Sequence, residues 1–245
     1  MTVATIDIGR PPLQDWAGLR AGALQRAYPG ADGRELLHAA IEVEFRGRIA
    51  LASSFGAEAA VMLALVAEIN PATPVIVLET GKLFRETHGY IRRLTDHLGL
   101  SDVRLVEPDA AALAWADADG ALWGRDPEAC CRLRKVEPLR RALAPFEAWI
   151  SGRKRLHGEA RAATPLIGAV DGHVVISPLA RWTRNDIDRA FADRALPRHP
   201  LVFEGYASIG CQPCTRPVAA GQELRAGRWA GHDKTECGIH RPALF

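Results

Sequence analysis

Arg48-Ile49-Ala50-Leu51-Ala52-Ser53-Ser54-Phe55-Gly56-Ala57-Glu58 joins a short apolar run to a small, polar, glycine-bearing turn, and a second apolar run follows from Ala59 to Ala67. The first run has the length of a buried strand. The second has the length of a helix, spanning about Ala57 to Asn70, with Pro71 and Pro74 bracketing its stop. The same cadence repeats downstream. Thr73 to Glu79 reads as a strand, Phe84 to Leu98 as a helix closed by Gly99, and Val103 to Val106 as a third strand. Strands alternating with helices through short connections predict βαβ units and a mostly parallel sheet with helices on both faces.

Working outward, residues 13–28 and 33–46 carry apolar positions at helical spacing and read as an N-terminal helical prelude. Ala148 to Ser151 and Val174 to Ser177 read as later strands, and Thr183 to Ala195 as a helix. A helical region carrying Cys130-Cys131-Arg132-Leu133-Arg134-Lys135 lies between the third strand and the fourth. Beyond Pro200 the periodicity dissolves into a segment rich in Gly, Pro and Arg. The expected organisation is one α/β nucleotide-binding catalytic domain over 1–205 and a loop-built C-terminal segment over 206–245.

Composition narrows the function classes. A chain of 245 residues with 48% hydrophobic and 24% charged residues is an ordinary soluble domain. A net charge of +2 gives no reason to expect nucleic acid or a membrane surface as partner. The charge is uneven, however: Cys130 to Arg161 holds nine Arg or Lys against three Glu, which points to a small anionic ligand. Met1 to Arg10 lacks a basic end followed by an apolar run, so no secretory signal is expected. The Ala59–Ala67 run is far short of the ~20 residues that span a bilayer. The expected compartment is the cytoplasm, where paired cysteines bind metal or do redox chemistry more often than they form disulfides.

In a parallel α/β protein, ligands sit beyond the C-terminal ends of strands, where helix N-termini offer free N–H groups to anions. Three polar, glycine-bearing turns fall at such ends: Ser53-Ser54-Phe55-Gly56, Glu79-Thr80-Gly81 and Ser151-Gly152-Arg153. None is a Walker A or dinucleotide fingerprint. Each alone is also what an ordinary capped turn looks like; together they predict one rim. The basic loop Gly152 to Arg161 could clamp phosphate or sulfate, or be a solvated charged loop, and His157 within it reads as a surface residue.

The five cysteines divide four and one. Adjacent Cys130 and Cys131 do not form the Cys-x-x-Cys turn that wraps a single zinc ion, whereas a cubane presents four irons facing different directions. With Cys211 and Cys214 they could hold one 4Fe-4S cluster per chain, its negative charge offset by Arg132, Arg134, Lys135 and Arg216; zinc stays open on spacing alone. Cys237, in Lys234-Thr-Glu-Cys-Gly-Ile-His240, has no apolar periodicity to bury it. It reads as an exposed nucleophilic thiol on a mobile end, with His240 or Lys234 placed to favour the thiolate.

These motifs together resemble a known family. Cys-Cys-x-x-Arg-Lys-x-x-Pro-Leu (Cys130 to Leu139), Cys-x-Pro-Cys-Thr-Arg-Pro (Cys211 to Pro217), Gly-Arg-Trp (Gly227 to Trp229) and Glu-Cys-Gly-Ile-His are similar to those of assimilatory adenylyl-sulfate reductases. These form the iron–sulfur branch of the adenylyl-sulfate (APS) and 3'-phosphoadenylyl-sulfate (PAPS) reductases, and the likeness runs from about Ser53 to His240. It implies an adenine nucleotide alpha-hydrolase-like fold with Ser53, Ser54 and Gly56 in a modified pyrophosphate loop and Thr80 and Gly81 near the nucleotide. It implies that Cys237 attacks adenylyl sulfate, that AMP leaves, and that thioredoxin or glutaredoxin releases sulfite from the S-sulfocysteine, as a step of sulfate assimilation toward cysteine. By motif position Lys135 lies beside the cluster, and Arg134, Arg161, Arg225 and Arg228 hold the phosphosulfate. Leu156-His157-Gly158 stands where the family often has Asp-Gln-Ser, which opens the finer substrate contacts. Alternatives are the same reaction on PAPS, an ATP pyrophosphatase (whose Ser-Gly-Gly-x-Asp-Ser loop is absent), and a non-catalytic zinc or iron–sulfur module, which has no use for Cys237. Homo-oligomerisation is left open by the sequence.

Overall fold

The structure is a computed structural model that describes residues 13–241; the Met1 to Arg10 stretch considered above lies outside the described residues. Six strands form one sheet: β1 (Ile49–Ala52), β2 (Val75–Leu78), β3 (Val103–Val106), β4 (Ala148–Ser151), β5 (Ile167–Val170) and β6 (His173–Ile176). The order is β3-β2-β1-β4-β6-β5, parallel throughout except for β5. The helices are α1 (Leu13–Ala27), α2 (Gly33–His38), α3 (Ala59–Ile69), α4 (Arg85–Leu98), α5 (Ala110–Ala116), α6 (Leu122–Arg125), α7 (Pro127–Cys131), α8 (Glu137–Leu143), α9 (Glu159–Ala162) and α10 (Arg184–Asp193).

Strand alternation divides the core. Ile49 and Leu51 of β1, Val75 and Val77 of β2, and Ala148 and Ile150 of β4 face one large cluster built with α1 to α4 and α10. Their neighbours Ala50, Ile76 and Trp149 face the other side, under Leu139 and Leu143 of α8 and Ile239 of the C-terminal segment. Both faces are therefore covered, as a parallel sheet requires. α3 is apolar all round and buried from Ala60 to Val66, which explains why its sequence reads as a continuous run rather than a stripe.

Two elements depart from the expectations. The predicted helix over 33–46 becomes a π-helix at Ala39–Glu44, and residues 132–136 after the cysteine pair are also π-helical. Pro138 cannot donate to the carbonyl of Arg134, and the chain widens before it. Strand β5 lay unread in the sequence. It pairs antiparallel with β6 through Asp171-Gly172, whose φ values of 48° and 77° are those of a tight hairpin turn.

The sheet order reverses between β1, whose chain continues to β2 on one side, and β4 on its other side. A crevice beyond the carboxyl ends of β1 and β4 is where ligands bind in such sheets. Among the described residues no helix is long and apolar enough to cross a membrane.

Candidate active site

A cavity of about 240 Å³ opens at that reversal point, lined by the turns after β1, β2 and β4 and by the C-terminal segment. Ser53, Ser54 and Gly56 form its first wall. Phe55 is fully buried in the left-handed region at φ 46°, and its N–H donates to Ser53 Oγ at 3.3 Å. A Cβ on Gly56 would stand 3.0 Å from the Ile209 carbonyl oxygen, so the glycine allows the C-terminal segment to press on this turn.

Glu58, the N-cap of α3, is buried at 8% exposure against three basic groups. Lys154 Nζ lies 3.1 Å from its carboxylate, His157 Nε2 3.0 Å and Arg184 Nη1 2.5 Å. Burial raises the carboxyl's pKa, but these partners reverse that and hold it far below the carboxylate range. His157 is thus part of the cavity wall, a correction to its reading as a surface residue. Glu58 was legible only as one acid set just before a nine-residue apolar run, with nothing to mark its partners.

The C-terminal segment supplies the remaining wall. Thr215 and Arg228 form an antiparallel bridge, and Arg216 N–H donates to the Gly227 carbonyl at 2.8 Å. In this structure the end is docked: Ile239 packs against the sheet, and His240 stacks on Trp149 with ring centroids 4.8 Å apart and lies 3.2 Å from Ser151 Oγ. Burial pushes the imidazole of His240 down to about 3, so it is a neutral anchor. Lys234 pairs with Glu128 at 2.6 Å. Cys237 lies between these anchors and lines the cavity, half-buried.

Beside it, Glu236 meets three arginines. Arg161 chelates its carboxylate, with one bond at 2.9 Å, while Arg225 stands 3.6 Å and Arg153 3.9 Å away. Burial opposes the carboxylate, but the Arg161 hydrogen bonds and charge hold its pKa at about 2. Arg225 is lowered to about 10 by burial and by Arg161. Arg228 is packed 4.5 Å from the Trp229 ring, and its buried Nε has no hydrogen-bond partner. Trp229 holds φ 49° with its indole N–H also unpartnered, a strained aromatic among Arg228, Arg225, Lys135 and Lys234. Arg161, Arg225 and Arg228 all line the cavity.

Cys130, Cys131, Cys211 and Cys214 line a second, small pocket with Arg134 and Lys135. Lys135 lines both pockets and so connects the cysteines to Cys237. Burial, then the neighbouring Cys131, pushes the Cys130 thiol up to about 11. Cys211 is lowered despite burial, by Lys135 and by Thr80, whose Oγ1 lies 3.2 Å from its sulfur. Thr80 lines the larger cavity and touches Cys211, which lines both pockets. Among the described residues no three His, Cys, Asp or Glu side chains are grouped so as to hold a single metal ion.

Gly81 and Arg134 are not brought to the cavity. Arg134 is buried, paired with Asp117 at 2.5 Å and donating to the Thr80 carbonyl at 2.7 Å, and Gly81, at φ 66°, packs beside it. They support the Thr80 turn from behind.

The phosphoadenosine phosphosulfate reductase domain family matches residues 48–217. The adenosine 5'-phosphosulfate reductase of Mesorhizobium japonicum is 46% identical over 94% of this chain and 91% of its own. That of Streptomyces coelicolor is 40% identical over 90% and 92%. A Candida auris phosphoadenylyl-sulfate reductase structure superposes with TM-score 0.67 over 80% of this chain and 96% of its own, at 22% identity, a likeness of fold. A Candida glabrata FMN adenylyltransferase shares the fold at TM-score 0.53 over 84% of this chain and 75% of its own. The sheet with its cavity, the matched domain and these relatives place the chain in the phosphoadenosine phosphosulfate reductase family, beside the members named adenosine 5'-phosphosulfate reductase.

Proposed function

We propose that this oxidoreductase reduces adenylyl sulfate to sulfite and AMP, with thioredoxin as reductant. The observation that carries the reading is that Cys237 and Arg161, Arg225 and Arg228 line one cavity at the reversal point of the sheet. A phosphosulfate is a compact anion, and guanidinium groups bind such oxygens with paired hydrogen bonds. The Ser53-Ser54-Gly56 turn lies at the N-terminal side of α3, where a nucleotide phosphate would meet free N–H groups.

In this mechanism the Cys237 thiolate attacks the sulfonyl sulfur. The sulfur–oxygen bond to the phosphate breaks, and AMP leaves with the bonding electrons. Arg228 and Lys135 stabilise the charge on the transferring group, and Arg161 and Arg225 hold the phosphate. A thiolate of thioredoxin then attacks Cys237 Sγ, expelling sulfite and forming a mixed disulfide. The second thiol of thioredoxin resolves it, so the two electrons come from the dithiol.

Four thiols around one pocket, two of them adjacent in sequence, fit a 4Fe-4S cluster whose four irons face different directions. Cys130, Cys131, Cys211 and Cys214 would hold it. It would supply a fixed negative charge that orders Lys135 between the two pockets. The substrate residues would be Ser53, Ser54, Gly56, Thr80, Arg161, Arg225 and Arg228, with Arg134 and Gly81 supporting. The cytoplasm, where thioredoxin keeps thiols reduced, suits this chemistry.

The test is turnover of adenylyl sulfate with reduced thioredoxin by the parent chain and Cys237→Ser. Loss of sulfite release in the variant supports the reading; release at the parent rate overturns it. Side-by-side turnover of 3'-phosphoadenylyl sulfate decides the substrate, and a clear preference for it would replace adenylyl sulfate.

A further inference from the structure

His157 sits where two ionic groups of opposite sign meet. Its Nε2 lies 3.0 Å from Glu58 Oε2, and its Nδ1 lies 3.4 Å from Arg161 Nη1. Glu58 is ionised and can only accept, so Nε2 carries the proton and donates. The Nδ1 lone pair is then free to accept from the Arg161 guanidinium. A single neutral tautomer satisfies both neighbours. Arg161 in turn chelates Glu236, the residue before Cys237. A continuous chain of contacts therefore runs from the cap of α3 to the nucleophile.

We propose that His157 is a positioning residue: neutral and protonated on Nε2, it ties Glu58 to Arg161 and so holds the arginine on which the Cys237 segment docks, and a second proton undoes the tie. The inference rests on the proposed function for its catalytic meaning and on geometry alone for the docking. The charged groups facing His157 are Glu58 at the cap of α3, Lys154 on the loop after β4, and Arg161 on α9; Arg184 from α10 shares Glu58. Glu58 already answers Lys154 and Arg184. An imidazolium would add a third cation to that carboxylate and turn an N–H toward the Arg161 guanidinium. Burial likewise disfavours the charged form, placing the acid step below the ordinary imidazole range.

The test uses the full chain in a Cys237→Ser background, which removes titration of that thiol. His157→Gln keeps both roles, since its amide N–H can donate to Glu58 and its carbonyl can accept from Arg161. His157→Leu keeps neither. Docking is read without ligand as tryptic cleavage after buried Lys234, each variant compared with the parent at the same pH. Substrate affinity is read calorimetrically with adenylyl sulfate.

Between pH 7.5 and 5.5 the parent should gain roughly tenfold in cleavage rate beyond the gain of His157→Gln, in line with one proton per docked segment. His157→Leu should be cleaved fast at both pH values. Adenylyl sulfate affinity should fall in parallel. If His157→Gln and the parent share one pH profile, or His157→Leu stays protected, the inference is overturned. If adenylyl sulfate binds no variant at any pH, the functional reading falls instead, and the cleavage profile still decides the role of His157.

Discussion

The Arg161 guanidinium chelates the carboxylate of Glu236, one residue from Cys237. Arg153 and Arg225 stand within 4 Å of the same carboxylate, at 3.9 and 3.6 Å. The Cys237 segment is therefore docked by charge, on the cations that a phosphosulfate would need under the proposed function. The Glu236 carboxylate occupies these arginines in the structure.

Glu236→Gln keeps the shape and removes the charge. Losing a buried charge-assisted pair costs about 2 kcal/mol, or roughly thirtyfold in the docking equilibrium. Cys237 should then be alkylated by iodoacetamide about that much faster than in the parent. Equal alkylation rates would mean that Ile239 and His240 alone hold the segment.

Gly210→Ala targets one arginine. A Cβ there would fall 2.2 Å from Arg228 Nη2, a flexible side-chain end, so the guanidinium must move while the backbone stays. The melting temperature should change little and sulfite production should fall at least tenfold. Gly227→Ala is the contrast: its Cβ would meet the Arg216 carbonyl oxygen at 2.1 Å, backbone against backbone, and should disrupt the whole segment. A Gly210→Ala chain with parent activity would remove Arg228 from the site.

The docked segment should also loosen in mild acid through His240. Its pKa is about 3 when docked, lowered by burial and then by Arg153 and Arg161. Released, it returns to about 6.5. Above that value the imidazole is neutral in both forms and docking is complete. As pH falls from about 6.5 toward 3, the released form takes up the proton first, and docking weakens by roughly tenfold per pH unit. His240→Phe preserves a ring against Trp149 and should remove this component of the acid slope in a protease-protection assay, leaving the part that depends on His157; a slope equal to the parent's would exclude His240 as a source.

Much of this was readable in advance. The two apolar runs and the glycine-bearing turn between them, from Arg48 to Ala67, have the lengths of a buried strand and a buried helix, and the sheet follows from their repetition. Strand β5 escaped because Ile167 to Val170 is short and glycine-bearing; its signal was the Asp171-Gly172 turn, whose left-handed backbone few other pairs allow. At the site, the cysteines stood out by spacing and Arg161, Arg225 and Arg228 by resemblance. Glu58, Glu236 and His157 did not. Their significance is electrostatic and arises only when residues 58, 157 and 161, or 161, 225 and 236, are folded onto one another. Arg134 shows the converse: it sits beside Cys130 and Cys131 in sequence, yet its donors are consumed by Asp117 and the Thr80 carbonyl.

The four clustered cysteines give a metal prediction. Anaerobically purified chain should carry about four iron and four acid-labile sulfide. Cys130→Ser or Cys211→Ser should lose both. Stoichiometric zinc without labile sulfide would contradict the assignment.

The most direct test of the account is the mass of the intact protein after adenylyl sulfate is added without thioredoxin. The account predicts one added sulfonate, mapped to the peptide containing Cys237 and removed by reduced thioredoxin with release of sulfite. An unchanged mass, or a sulfonate mapped to another residue, would contradict it.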